Sequence, residues 1–240
     1  VAILTVINPP VNALSRAARA DLMTALDRAE EDDAISVIVL IGAGGSFPSG
    51  IEIGDYESDL QEPNLRDLCE RTDFCDKPVI AALSGKVYGG GLELALAAHY
   101  RIADKTARVC LPEIRLGLPP GGGGSQRLPR LIGAEPALDM MLTGRINRID
   151  SPEMRPLIDG LVEGDLRAGA LKYAAHLQKT GATPRHTGEM RKGFSDMAGY
   201  QAAVTAARTR PETQAGEAET AICALVEAAP LLPFEAGLAM

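Results

Sequence analysis

The sequence predicts an α/β fold that is followed by a helical C-terminal segment. Up to about residue 163, short apolar runs rich in β-branched residues alternate with segments whose apolar residues recur at helical spacing. Such alternation is typical of a layered α/β domain. After residue 165 the strand-like runs stop and alanine-rich helical patterns take over. We therefore divide the chain into an α/β core, residues 1–165, and a helical appendage or linker region, residues 166–240.

The first half of the core shows this alternation clearly. A strand is predicted at residues 2–7, where the following Asn-Pro-Pro sequence ends the extended run. Ser15 is a predicted N-cap, because its hydroxyl can accept a hydrogen bond from the first turn of a helix that runs to about Asp32. Residues 35–41 form an apolar run interrupted only by Ser36, as expected of a strand buried on both faces. A glycine-rich loop and a helix at residues 64–74 follow.

The second half continues the pattern into the helical segment. Further strands are predicted at residues 78–83, 100–103 and 107–111, and a short helix at residues 92–99. The C-terminal helical patterns cover residues 166–178, 194–208 and 213–228. Residues 181–193 are polar and interrupted by glycine and proline, which predicts a linker or an excursion.

The composition is that of a soluble globular protein. Apolar residues make up 46% of the 240, enough for a core, and the apolar run at the N-terminus is too short to span a membrane. The formal net charge of −8 argues against nucleic acid as the main partner. The four cysteines show no CxxC motif and no Cys/His pair at metal-ligand spacing. We expect free thiols, a cytoplasmic location and no metal site.

The chemistry is concentrated in residues 86–130. Two glycine runs, at 89–91 and 121–124, each lie near a glutamate with apolar neighbours, Glu93 and Glu113. Glycine runs let backbone N–H groups approach a ligand without hindrance from Cβ. A poorly solvated carboxyl has a raised pKa, so the pair suggests acid/base work on a substrate with an activated carbonyl. The alternative is a first-turn glutamate favoured by the helix dipole at Glu93 and an ordinary loop carboxylate at Glu113.

Three other patterns do not predict a site. The sequence GAGGSF at residues 42–47 lacks the third glycine of a dinucleotide-binding loop. No Lys-Ser/Thr pair follows the glycines at residues 85–90, which excludes a phosphate-binding P-loop. For His99 we expect a role at a helix end rather than in catalysis.

Taken together, the motifs resemble those of the enoyl-CoA hydratase/isomerase (crotonase) family. The resemblance covers residues 2–165 and includes VIVLIGAGGSF, SGIEI, KPVIAALSG, GGGLELALA and LPEIRLGLPPGGGGSQRLPRLIG. It implies a crotonase-type spiral of ββα units followed by a helical segment, with residues 1–165 as the catalytic core.

The resemblance also implies roles for five residues. Glu93 and Glu113 match the two catalytic glutamates of the family. The backbone N–H groups of Ile51 and Gly90 match its oxyanion hole, and the N–H of Gly121 matches the group that holds the attacking water. The family commonly has alanine where this chain has Ile51, so we expect a narrower acyl pocket.

The implied function is that of a 2-enoyl-CoA hydratase in fatty-acid β-oxidation, which adds water across the C2=C3 bond to give a 3-hydroxyacyl-CoA. Its partner is an acyl-CoA thioester, and no cofactor is expected in this segment. A Δ3-Δ2-enoyl-CoA isomerase and a non-catalytic acyl-CoA-binding module stay open as alternatives. Isomerase-only relatives usually keep just the second glutamate, so Glu93 favours the hydratase. The sequence leaves the oligomeric state and the preferred chain length open.

Basic residues are expected near the coenzyme A phosphates. The candidates are Arg16, Arg19, Lys86 and Arg127. The alternative for each is a solvated surface charge.

Two stretches are most similar to multifunctional β-oxidation enzymes, in which a hydratase part precedes a 3-hydroxyacyl-CoA dehydrogenase. They are HYRIA at residues 99–103 and APLLPFEAGLAM at residues 229–240. We therefore expect the chain to lead into a further domain, and NAD to be a cofactor of that domain only.

Overall fold

The computed structural model describes residues 1–50, 62–210 and 216–240. In these ranges the strands are β1 (Ala2–Val6), β2 (Ile38–Gly42), β3 (Val79–Leu83), β4 (Lys86–Tyr88), β5 (Tyr100–Ala103), β6 (Arg108–Cys110), β7 (Asn147–Arg148) and β8 (Gly160–Leu161). The α-helices are α1 (Arg16–Glu31), α2 (Leu65–Asp73), α3 (Gly90–Ala97), α4 (Gly124–Ile132), α5 (Ala134–Thr143), α6 (Leu166–Thr180), α7 (Met197–Arg208), α8 (Glu217–Ala228) and α9 (Phe234–Leu238).

Two sheets form the framework of the fold. The larger sheet has the strand order β1-β2-β3-β5-β8, and all its pairings are parallel. In the smaller sheet β4 pairs with β6 in parallel, and β7 pairs with β6 in antiparallel. Helices connect the successive parallel strands, as parallel pairing requires. The α/β class predicted from the sequence is confirmed.

Helix α1 covers one face of the larger sheet. The hydroxyl of Ser15 accepts a hydrogen bond from the backbone N–H of Ala18, which confirms the predicted N-cap. Leu22, Leu26 and Ala29 recur at helical spacing and are buried in the main core. Burying a leucine side chain stabilises the fold by about 1.5–3 kcal/mol.

Helix α2 begins with a capping box, an exchange of two hydrogen bonds between the first residues of a helix. The side chain of Asn64 accepts from the N–H of Asp67, and the carboxylate of Asp67 accepts from the N–H of Asn64. Both bonds satisfy N–H groups that a helix leaves without partners in its first turn. The cap therefore fixes the position of Leu65, which faces the cavity described below.

The C-terminal helices pack on two different parts of the core. Helix α6 lies against a second apolar cluster, on the other face of the sheet, that includes Val39, Ile80 and Ile102. Helices α7 and α8 pack on α5, and Ile222 and Val226 join the main core. The division at residue 165 stays a prediction, because shared packing does not define where a folding unit ends.

The segment of residues 181–193 packs on the fold. It forms short 3-10 turns at Thr187–Glu189 and Lys192–Phe194 that contact α4. Thr187 and Gly188 are buried. A polar sequence with glycine and proline therefore gives a packed excursion here, and not a solvated linker.

The structure also describes the state of the cysteines and the character of the helices. The four cysteines are buried free thiols. Among the described residues, no helix combines the length and the apolar character that crossing a membrane requires.

Candidate active site

A cavity of about 690 Å³ lies where α2, the start of α3 and the second glycine run meet. The residues that line it include Gly50, Leu65, Arg66, Tyr88, Gly90, Glu93, Glu113, Arg115, Leu116, Leu118 and Gly121. Four of the five residues assigned to the site from the sequence therefore face one cavity. The fifth, Ile51, lies outside the described residues.

Glu93 lies in the first turn of α3, a helix whose residues are all buried. Its side chain is held from outside the helix: Oε1 accepts hydrogen bonds from the N–H groups of Gly122 and Gly124, each at 2.8 Å. Hydrogen bonds to a carboxylate are stronger than those between neutral groups. The glutamate is 1% exposed, so it is a buried first-turn residue, and its catalytic role stays a prediction.

A side chain at either of the two glycines that bond Glu93 would crowd its carboxylate. A Cβ at Gly122 would lie 3.0 Å from Oε2 of Glu93, and a Cβ at Gly124 would lie 2.9 Å from its Oε1. At Gly121 a Cβ would meet open space within 4 Å. The second glycine run therefore holds the carboxylate at one end and opens to the cavity at the other.

Glu113 begins a 3-10 turn at Glu113–Leu116 and is nearly buried. Burial, and then the charge of Glu93, raises its pKa to about 8. Its Oε2 is buried and has no hydrogen-bond partner among the described residues. At neutral pH this carboxyl group is therefore mostly protonated and is able to give a proton to a bound molecule.

The first glycine run provides a close approach to Glu113 and a backbone N–H group that bonds no acceptor among the described residues. Gly89 has a φ of 53°, and a Cβ there would lie 2.9 Å from Oε1 of Glu113. Gly90 is the first residue of α3, where an N–H group has no acceptor inside the helix. The helix dipole adds positive potential at the same place. Gly90 is thus suited to bind an oxygen that carries developing negative charge.

Two expectations about basic residues are wrong. Arg19 and Arg127 lie neither at the entrance of the cavity nor on the surface, because both are buried. Arg19 donates to the carbonyl of Pro63 at 2.9 Å, and Arg127 pairs with Asp73. A guanidinium can donate several hydrogen bonds to buried acceptors. The spacing of residues in the sequence does not reveal which acceptors it meets.

Other basic residues lie on the surface or at the cavity, where Arg19 and Arg127 were expected. Arg16 and Lys86 are exposed, which is compatible with a contact to coenzyme A and with a solvated surface charge, so their role stays a prediction. Arg66 and Arg115 line the cavity, and the sequence analysis missed them. Arg115 is two residues after Glu113, and this short separation was the available signal.

His99 is buried outside the cavity lining. Its Nδ1 accepts the N–H of Val79 at 3.0 Å, so Nε2 carries the proton and donates to the backbone carbonyl of Asp73 at 2.9 Å. Burial also lowers the pKa of the ring. The structural role expected for His99 is confirmed, and with both nitrogens engaged it is unsuited to bind a metal with Asp73 and His186 nearby.

Comparison with known proteins identifies the family. The family model described as enoyl-CoA hydratase/isomerase matches residues 1–217. The chain belongs to this family. A curated relative, the peroxisomal bifunctional enzyme of Danio rerio, is 41% identical over 174 residues, which are 72% of this chain and 24% of the relative. The glyoxysomal fatty acid beta-oxidation multifunctional protein MFP-a of Cucumis sativus is 41% identical over 171 residues, 68% of this chain and 24% of the relative.

These curated members of the enoyl-CoA hydratase/isomerase family are much longer than the chain, which spans about a quarter of their length. Solved structures of the family match the fold more completely. Enoyl-CoA hydratase from Mycobacterium tuberculosis H37Rv superposes with a TM-score of 0.69 at 28% identity and covers 88% of both chains. The crotonase-type fold with a helical C-terminal segment is thereby confirmed.

Proposed function

We propose that the protein is a 2-enoyl-CoA hydratase that forms 3-hydroxyacyl-CoA. The observation that carries the proposal is the contrast between two carboxyl groups in one cavity. Glu93 is held by two backbone N–H groups, whereas Glu113 has a pKa raised to about 8 and an oxygen that meets no hydrogen-bond partner in the part of the chain that the structure describes. Hydration needs both states at once, a base for the water and an acid for C2 of the substrate.

In the proposed reaction, backbone N–H groups bind the thioester oxygen and the water, and the two glutamates transfer protons. The thioester oxygen binds the N–H of Gly90, and the N–H of Ile51 supplies the second donor. The N–H of Gly121 holds a water molecule whose proton passes to Glu93 as its oxygen attacks C3. The negative charge that develops on the thioester oxygen is stabilised by the two donors, each of which contributes about 3–4 kcal/mol in comparable enzymes. Glu113 then protonates C2, and dehydration reverses these roles.

The substrate class follows from the walls of the cavity and from the names of the relatives. Leu65, Leu116 and Leu118 provide apolar surface for an acyl chain, and Arg66 and Arg115 provide positive charge near the coenzyme A moiety. The cucumber relative is named for fatty acid beta-oxidation, and we place this protein in the same process. No cofactor takes part in the scheme.

Two further expectations stay proposals. The relatives are named peroxisomal and glyoxysomal, and the cytoplasmic location expected here stays a prediction. We also propose that the chain is the hydratase part of a multifunctional protein whose dehydrogenase part uses NAD. A dinucleotide-binding motif within about a hundred codons downstream in the parent reading frame would support this, and an early stop codon would contradict it.

The direct test of the function is turnover of a short and a long trans-2-enoyl-CoA. Hydration removes the conjugated double bond, so the ultraviolet absorbance of the enoyl thioester should fall with time. Binding of both compounds without any change in absorbance would favour the non-catalytic acyl-CoA-binding module.

Isomerase activity is the second candidate, because one carboxyl group suffices for it. Oε2 of Glu113, which has no hydrogen-bond partner within residues 1–50, 62–210 and 216–240, is suited to carry a proton between C2 and C4. A 3-enoyl-CoA that is converted to the 2-enoyl compound faster than the latter is hydrated would make isomerisation the main activity.

A further inference from the structure

A buried ion pair lies directly behind the second glycine run. The side chains of Arg127 and Asp73 are 1% and 4% exposed, and Nη2 of Arg127 donates to Oδ2 of Asp73 at 2.7 Å. The other terminal nitrogen, Nη1, donates to the carbonyl of Gly122 at 3.0 Å. A buried ion pair is weak support for stability, because desolvation of both charges offsets their attraction. Its contact with the glycine run suggests a role in the site.

Gly122 is bonded on two sides. Its N–H donates to Oε1 of Glu93, while its carbonyl accepts from Arg127. Gly124 donates to the same carboxylate oxygen, and Gly123 between them has a left-handed φ of 100°. Backbone in which neighbouring N–H groups converge on one anion in this way is an anion-binding nest. Arg127 therefore fixes the rear of the nest that holds Glu93.

The guanidinium of Arg127 is itself held in place. The ring of Phe234, in α9, lies over it with 4.6 Å between the guanidinium carbon and the ring centroid. A Cβ at Gly123 would lie 2.3 Å from Nη1, so this position leaves room only for glycine. Asp73 is fixed in turn, since its Oδ1 lies 3.1 Å from Nδ1 of His186. These contacts hold Arg127 in place, and its hydrogen bond to the carbonyl of Gly122 in turn restricts the position of the glycine run.

We propose that Arg127 is a positioning residue for hydration and acts through Gly122 on the carboxylate of Glu93. The inference rests on the proposed function. A base that takes a proton from water must keep its oxygen within hydrogen-bond reach of that water. A displacement of about 1 Å costs on the order of a hundredfold in rate. Arg127 itself is absent from the described lining of the cavity.

The test compares Arg127→Met with Arg130→Met in the hydration of a short 2-enoyl-CoA, after circular dichroism has shown that each variant is folded. Arg130 is a matched control, because it is a buried arginine of the same helix that bonds Gly188 and Gln126 instead of the second glycine run. We expect Arg127→Met to lower kcat roughly tenfold to a hundredfold and to leave KM within about threefold of the wild type. Arg127→Lys, which keeps a charged donor, should recover part of kcat, and Arg130→Met should keep all of it.

A second variant covers the case in which Arg127→Met fails to fold. The pair Asp73→Asn/Arg127→Met removes both charges of this ion pair together, so neither is left buried without its partner, and it carries the same expectation for kcat. A folded variant with the kcat of the wild type, or an equal loss in Arg130→Met, would overturn the inference while the proposed function stands. A wild-type protein that does not hydrate enoyl-CoA contradicts the proposed function, and the inference with it.

Discussion

At the scale of single residues, two glutamates with similar sequence surroundings lie in different hydrogen-bonding environments. Glu93 meets two backbone donors from a distant loop, whereas Oε2 of Glu113 meets none in the described structure. Apolar flanks and nearby glycines predicted that both carboxyls are functional candidates. They did not predict which of them is held by the second glycine run, since that contact joins residues about thirty positions apart.

The first prediction separates the roles of these two carboxyls. Glu93→Gln and Glu113→Gln should each lower the rate of hydration by about two to four orders of magnitude, because each removes one proton-transfer step. Binding of a saturated acyl-CoA should stay nearly unchanged, as titration calorimetry would show. Any isomerase activity should vanish in Glu113→Gln and persist in part in Glu93→Gln.

Near-normal hydration by either variant would contradict the assignment. An equal loss of isomerase activity in both would contradict the division of roles between them. Glu163→Gln, which changes an exposed carboxylate in a surface ion pair with Lys105, is the control and should be fully active.

At the scale of secondary-structure elements, the bounds of α3 differ from the sequence prediction, and a side chain from the next strand caps its C-terminal end. The sequence predicted a helix at residues 92–99, but the helix begins at Gly90 and ends at Ala97. At its C-terminal end the buried guanidinium of Arg101 donates to the carbonyl of Ala98 at 2.6 Å, and to that of Leu157 through Nε at 2.7 Å. Pattern analysis placed Arg101 in a strand and had no means to show that its side chain turns back to cap the preceding helix.

The second prediction concerns this cap. Arg101→Met should lower the free energy of unfolding by about 2–3 kcal/mol, because buried carbonyl groups lose a charged donor. Urea titration followed by circular dichroism measures the change, and it suits a protein without tryptophan. Arg148→Met, at an exposed arginine paired with Asp150, should change the value by less than about 0.5 kcal/mol. Equal effects in the two variants would show that the cap has no special importance.

At the scale of the whole molecule, the sequence predicts where the helices after residue 165 lie along the chain but not which elements they pack against. Their periodicity and alanine content give their approximate bounds. Their packing partners depend on contacts across the chain, such as those of Ile222 and Val226 with the core around α5. Sheet order has the same limitation, because β5 lies between β3 and β8 rather than next to β4.

The third prediction follows from this shared core. Ile222→Ala in α8 should lower the free energy of unfolding by about 2–5 kcal/mol, because a large side chain is lost from a packed interior. The unfolding curve should stay a single transition. Two separated transitions would show that the C-terminal helices unfold as a unit of their own. Leu231→Ala, at a leucine that is 70% exposed, is the control and should have a small effect.

The fourth prediction links the pH dependence of stability to Glu113. Its pKa is about 8 in the folded protein, against an ordinary value of 4.5. Between these values the folded protein keeps a proton that the unfolded chain has released. The free energy of unfolding should therefore fall as pH rises through this range, by up to about 1.4 kcal/mol per pH unit from this group. Glu113→Gln removes this contribution, so its stability relative to the wild type should increase from pH 5 to about pH 8.

Chemical unfolding at several pH values measures this difference. A constant difference between Glu113→Gln and the wild type across the range would contradict a raised pKa in the folded state. Glu163→Gln serves again as the exposed control, and its stability should follow the wild type at each pH.

The bonds from Gly122 and Gly124 to Glu93 have a consequence for how this loop tolerates insertions and deletions. Backbone donors are supplied by chain length as well as by residue type. Adding or removing one residue moves the following Cα by about 3.8 Å, which exceeds the length of either hydrogen bond. Most surface loops accept such changes. In this loop the number of residues is fixed, because Gly124 belongs to α4 and the N–H groups of Gly122 and Gly124 must both reach the carboxylate of Glu93. Engineering that varies loop length should therefore be directed to other connections of the fold.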